Sequence, residues 1–189
     1  KWSGTADSLG ESRLQREAQA MAKLSHPNVV TVYEMGRIGD ESFIAMELIE
    51  GETLRGWLKS KPRSWRTIVE IFVACGRGLA AAHAVALVHR DFKPENVLVD
   101  KQDRPRVSDF GLVATGIVTN PEDLPESTEF DRISKELTVH GAIVGTPAYM
   151  APEQWAGLEV DARTDQFAFC VALWEALHGQ RPFAGDVGG

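Results

Sequence analysis

The sequence predicts an α+β chain in which a small β-rich part precedes a larger, mostly helical part. Three observations carry this reading. Residues Val29 to Tyr33 and Phe43 to Leu48 are β-rich runs with Gly36, Gly39 and Asp40 between them, the pattern of a hairpin. A long periodic pattern from about Trp65 to Ala84 sets Ile68, Phe72, Cys75 and Leu79 on one helical face. A second helical pattern, about Thr164 to Leu177, ends at Gly179 with Pro182 beyond it, a glycine stop followed by a residue that cannot continue a helix.

The remaining elements follow in order. Ser12-x-x-Gln15 reads as a capping box, after which Leu14, Ala18 and Met21 recur at helical spacing until His26-Pro27 stops the helix. Gly51 marks a break before a short helix from Thr53 to Leu58, and short strands are expected near Val97–Val99 and Arg106–Val107. From Gly116 to Thr138 the pattern disappears. Within it, residues 122–136 hold six acids against two bases, a polar loop or insertion. No internal repeat is visible.

Bulk properties narrow the function. A chain of 189 residues with 43% hydrophobic and 25% charged residues has the composition of a soluble globular protein. Its net charge of -7, without any run of Lys or Arg, argues against a nucleic-acid partner. Cys75 and Cys170 lie in apolar helical patterns without CxxC spacing, so both are expected to be small buried side chains in a reducing, cytoplasmic setting. The longest apolar stretch, Leu79 to Val88, is interrupted by His83 and too short to span a bilayer, and no signal peptide is visible.

The chemistry concentrates in His89-Arg90-Asp91-Phe92-Lys93-Pro94-Glu95-Asn96. Asp91 can accept a hydroxyl proton or orient that hydroxyl for attack. Lys93 can neutralise charge on a transferring phosphoryl group, and Asn96 offers an amide oxygen, a hard ligand suited to Mg²⁺. Asp109-Phe110-Gly111 supplies a second oxygen ligand, and Ala151-Pro152-Glu153 closes the segment that begins there.

In this order and spacing, H-R-D-x-K-P-E-N, D-F-G and G-T-P-x-Y-M-A-P-E resemble the catalytic core of a protein Ser/Thr kinase of the bacterial eukaryotic-like type. The resemblance implies a two-lobed fold incomplete at both ends. Residues 1–48 would be a partial small lobe, with the helix from Ser12 as its regulatory helix. Residues 49–189 would be a partial large lobe holding the catalytic loop, an activation segment at 109–153 and a helix to 179. No G-x-G-x-x-G loop precedes the helix from Ser12.

The resemblance also implies roles. Asp91 and Lys93 would be catalytic, and Asn96 and Asp109 would hold Mg²⁺ beside ATP. Lys1 and Glu17 would form the small-lobe pair that positions the nucleotide. Met46 would be the gatekeeper, with the Glu47 carbonyl and the Ile49 amide holding adenine. Arg90 would place activity under phosphorylation control, with Thr138 the first acceptor and Ser134, Ser127 and Thr128 behind it. Thr146 would shape the substrate pocket, which favours Ser or Thr over Tyr as the phosphorylated residue. Glu153 and Arg181 would form a buried ion pair, and Asp165 would anchor the catalytic loop. The partners are then protein substrates bearing Ser or Thr, with transient self-association for autophosphorylation. Two other readings are a pseudokinase or docking module, for which the missing glycine loop speaks, and a small-molecule phosphotransferase, against which Gly145 to Glu153 speaks.

Overall fold

The computed structural model describes residues 24–38, 41–110 and 147–183. The expected helix from Ser12, the acidic stretch 122–136 and the residues Lys1, Glu17, Thr138 and Thr146 lie outside the described residues.

Strands β1 (Val32–Ile38) and β2 (Glu41–Met46) form an antiparallel pair with an irregularity between Val32 and Glu34. The expected hairpin exists, but its first strand starts later. Val29 and Val30 do not belong to it. They are buried, and Val29 makes a parallel bridge to Val107 while the Val30 N–H donates to the Val107 carbonyl at 2.9 Å. The apolar run therefore serves two structures, because Val29 and Val30 find more buried partners in the larger part of the fold than a hairpin edge offers.

β3 (Gly51–Thr53), β4 (Val97–Asp100) and β5 (Pro105–Val107) form an antiparallel sheet in that order. Gly51 is thus the start of a strand rather than a break. A Cβ there would lie 2.0 Å from the Val99 carbonyl oxygen, so glycine permits the close pairing. Helix α1 (Leu54–Ser60) follows, with Thr53 Oγ1 accepting the Gly56 N–H as its cap.

Helix α2 spans Trp65–Ala84, capped by Ser64, whose Oγ accepts the Thr67 N–H at 3.1 Å. Ile68, Ile71, Phe72, Cys75, Gly78, Leu79 and Ala82 are its buried face. By length and composition α2 could cross a membrane, but its apolar stripe is packed into the core with Leu54, Phe92, Val97 and Val107. Gly78 allows a close approach to the chain before β1, since a Cβ would stand 2.4 Å from the Asn28 carbonyl oxygen.

Helix α3 (Pro152–Trp155) is a single turn, and α4 (Ala162–His178) runs from an Asp161 cap to Gly179, whose φ of 71° is the left-handed conformation expected of a glycine stop. α4 packs on α2 and buries Ala168, Val171 and Ala172, with a Phe72–Phe169 edge contact between the two helices at 5.5 Å between ring centroids. Cys75 is buried, which pushes its thiol up to about 12. Cys170, expected to be buried as well, is exposed because it sits on the outward face of α4.

Candidate active site

The loop after α2 is shaped by its backbone partners. Asp165, fully buried on α4, accepts the His89 N–H through Oδ2 and the Arg90 N–H through Oδ1, both at 2.8 Å. Oδ2 also meets His83 Nε2 at 2.7 Å. Asp165 therefore anchors the loop, as its place in the sequence suggested. Arg90 is held at φ 69°, a conformation that side chains other than glycine rarely adopt. Its two peptide groups are clamped from opposite sides: Asp165 takes the N–H, and Gln154 Nε2 donates to the carbonyl at 2.8 Å. Gln154 Oε1 in turn accepts the Ala151 N–H at 3.0 Å, so one amide ties the loop to the segment ending in Ala-Pro-Glu.

His89 is packed rather than reactive. Its ring lies 4.7 Å from the Phe110 ring and 5.9 Å from the Phe92 ring, centroid to centroid. The Asp91 N–H donates to His89 Nδ1 at 3.3 Å, which assigns the ring proton to Nε2.

Two of the sequence-derived site residues converge on a third, Asp91. Lys93 Nζ donates to Asp91 Oδ2 at 2.8 Å, and Asn96 Nδ2 donates to the same oxygen at 3.1 Å and to the Asp91 carbonyl at 2.8 Å. The 3₁₀ turn Pro94–Asn96 brings Asn96 back over Asp91. Its amide nitrogen is committed to Asp91, so the amide oxygen is the atom presented to a cation.

Asp109 joins the group through Ser108. Ser108 N–H and Oγ both bond the Asn96 carbonyl, at 2.9 and 3.1 Å, and Oγ also lies 3.0 Å from Asp109 Oδ2. Asp109 has φ 61°, a left-handed conformation that Asp tolerates better than most residues. Ser108 was not singled out from the sequence. A polar residue at the end of a buried strand, immediately before Asp109, was the available signal.

The donor set fits Mg²⁺. An amide oxygen and a carboxylate are hard ligands, and no group of three His, Cys, Asp or Glu among the described residues could hold a metal alone. The remaining ligands would be phosphate oxygens and water.

Met46 ends β2 and is partly exposed. Glu47 turns inward: its N–H donates to the Thr31 carbonyl at 2.8 Å, and its carboxylate faces Arg106 Nε at 3.7 Å. Among the described residues, neither the Glu47 carbonyl nor the Ile49 N–H makes a backbone hydrogen bond.

Arg55 of α1 bonds Glu95 at 2.7 Å, Glu175 at 2.9 Å and the Tyr149 hydroxyl. Burial of Glu175 would raise its carboxyl, but hydrogen bonds from Arg55 and Tyr149 hold it below the usual range. The expected Glu153–Arg181 pair is not formed. Glu153 accepts from the Thr164 hydroxyl at 2.7 Å, while Arg181, just past the Gly179 turn, folds back on α4 to meet Glu175 at 3.6 Å.

A family model described as "Protein kinase domain" matches residues 3–188. The serine/threonine-protein kinase PknL of Mycobacterium tuberculosis is 38% identical over 176 residues, covering 93% of this chain and 40% of the relative. The DNA damage-responsive serine/threonine-protein kinase RqkA of Deinococcus radiodurans is 38% identical over 179 residues, covering 93% of this chain and 25% of the relative. The chain thus spans less than half the length of these relatives. Among solved structures, the Mycobacterium tuberculosis PknI kinase domain superposes with a TM-score of 0.67 at 27% identity, covering 94% of this chain and 61% of that one.

Proposed function

The chain belongs to the protein kinase family, and on that premise we propose that it carries the catalytic core of a Ser/Thr protein kinase, moving the γ-phosphate of ATP to hydroxyls of protein substrates. The observation that carries this reading is the convergence of Lys93 and Asn96 on one carboxylate oxygen of Asp91, on a loop clamped by Asp165 and Gln154.

Asp91 orients the attacking hydroxyl and takes its proton. With Oδ2 shared by two donors, the carboxylate is fixed in one orientation before substrate arrives. Lys93 steadies the transferring phosphate. Asn96 and Asp109 hold Mg²⁺, which when bound offsets the phosphate charge. Ser108 keeps their two backbones in register. The Glu47 carbonyl and Ile49 amide hold adenine, and Met46 borders that pocket. Lys1 and Glu17 form the small-lobe pair that positions the nucleotide. Phosphorylation at Thr138 offsets Arg90, and Thr146 borders the substrate hydroxyl. Residues 1–48 and 49–189 contribute to the small and large lobes respectively.

The test is transfer of labelled phosphate from ATP with Mg²⁺ to a generic protein, followed by acid hydrolysis. Phosphoserine and phosphothreonine are expected. Label only on tyrosine, or only on free small alcohols, would overturn the reading.

A further inference from the structure

We propose that Arg106 is a positioning residue for nucleotide binding: by pairing with the Glu47 carboxylate it holds the link between β2 and β3, residues 47–50, in the shape that receives adenine. On the kinase reading, which this role rests on, the Glu47 carbonyl and the Ile49 amide take the base, and Arg106 is what fixes them. Arg106 lies on β5, three residues before Asp109. Its Nε stands 3.7 Å from Glu47 Oε1, and its Nη1 stands 3.2 Å from Asp100 Oδ2. Only 16% of its side chain is exposed, so the guanidinium is largely withdrawn from water between two carboxylates.

These contacts close a ring. The Val107 N–H donates to the Asn28 carbonyl and the Val30 N–H to the Val107 carbonyl, both at 2.9 Å, so β5 is paired with residues 28–30. Asn28 Nδ2 adds a bond to the Pro105 carbonyl at 3.0 Å. Thr31 follows directly, and Glu47 meets it twice. The Glu47 N–H donates to the Thr31 carbonyl at 2.8 Å, and the Thr31 N–H reaches Glu47 Oε2 at 3.4 Å. Glu47 Oε1 then returns to β5 through Arg106. From β5 to Glu47 the path has backbone hydrogen bonds that many sequences could make, and only the return needs this particular pair of side chains.

With its N–H tied to Thr31 and its carboxylate to Arg106, Glu47 has little freedom to turn the carbonyl that follows. Without the guanidinium, its 29% exposed side chain would gain more by turning to water, and the link would loosen. At its other end β5 continues through Ser108 to Asp109, so one strand sets the adenine end and the metal end of the nucleotide relative to each other. Arg104 separates this role from plain stability. Its Nε bonds the same Asp100 oxygen at 2.8 Å, and its other side-chain bond goes to Gln102 rather than Glu47.

The test is adenosine affinity by calorimetry on the full-length protein, with inorganic tripolyphosphate and Mg²⁺ as a ligand that lacks the base. Adenosine binding should weaken about fivefold in Arg106→Gln and in Glu47→Ala, and the double variant should be no weaker than either single one. Tripolyphosphate binding should stay within about twofold in all three. Arg104→Gln, which loosens the turn at Asp100 without touching Glu47, should lower the unfolding midpoint and leave adenosine binding within about twofold. Adenosine binding unchanged in Arg106→Gln, losses that add in the double variant, an equal loss of tripolyphosphate, or an equal loss in Arg104→Gln would overturn the proposal. Should Arg106→Gln not fold, Glu47→Ala decides alone, and unchanged adenosine affinity there overturns it. An unaltered protein that binds no adenosine would sink the kinase reading and this role with it, a result distinct from adenosine bound without regard to Arg106.

Discussion

The residue that most shapes this site is Asp165, which never faces it. Its two oxygens satisfy the His89 and Arg90 N–H groups, and the second of these belongs to a residue held in a left-handed conformation. Asp165→Ala would leave both donors buried without an acceptor, a loss of about 2–5 kcal/mol in chemical denaturation. Gln154 supports the same strained residue from the other side. Gln154→Leu removes its donor to the Arg90 carbonyl, so kcat should fall while KM for ATP stays within about twofold, because the nucleotide is not touched. Asp100 gives a pH signature. Burial would raise its carboxyl, but the N–H groups of Arg104 and Gln102 and the guanidinium groups of Arg104 and Arg106 bring it to about 2. The folded value lies below that of the unfolded chain, near 3.9, so this contribution is complete above about pH 4 and lost as pH falls toward 2. Thermal unfolding midpoints should drop over that window, and Asp100→Asn should flatten the drop.

Among the elements, α2 was the most legible, because its buried positions repeat at helical spacing over 20 residues from a serine cap. Its bounds, Trp65 to Ala84, are those the pattern suggested. β3 was not legible. Three residues are too few to show alternation, and their order comes from pairing with β4, distant in sequence. The hairpin was legible in kind but not in extent, since Val29 and Val30 look like strand residues and are spent on Val107 instead. Asp91, Lys93, Asn96 and Asp109 stood out because they lie in H-R-D-x-K-P-E-N and D-F-G, whose residue types and spacing carry the resemblance. Ser108 and Gln154 act through backbone groups, and a side chain that serves a peptide carries no spacing signature. Likewise, the partner of Arg181 depended on how the chain leaves α4. Gly78 tests the packing of α2 directly. Gly78→Ala would drive a Cβ to 2.4 Å from the Asn28 carbonyl oxygen, and the required backbone shift should cost about 1–3 kcal/mol in denaturant unfolding.

At the scale of the whole molecule, helical core and catalytic loop are one construction. α2 and α4 pack on each other, α4 sends Asp165 to the loop, and β4 and β5 carry the chain from Asn96 to Asp109. Arg55 links α1, the loop and α4 through Glu95 and Glu175. The central claim is that this frame holds Asp91 for phosphoryl transfer. Its most direct test is transfer from labelled ATP with Mg²⁺ by the wild-type sequence and by Asp91→Asn, each carried in a polypeptide as long as the solved kinase domains it matches, with nucleotide affinity measured alongside. Turnover should fall about a hundredfold or more while ATP affinity stays within about threefold. Turnover unchanged by Asp91→Asn, or absent from the wild type despite bound nucleotide, would contradict it.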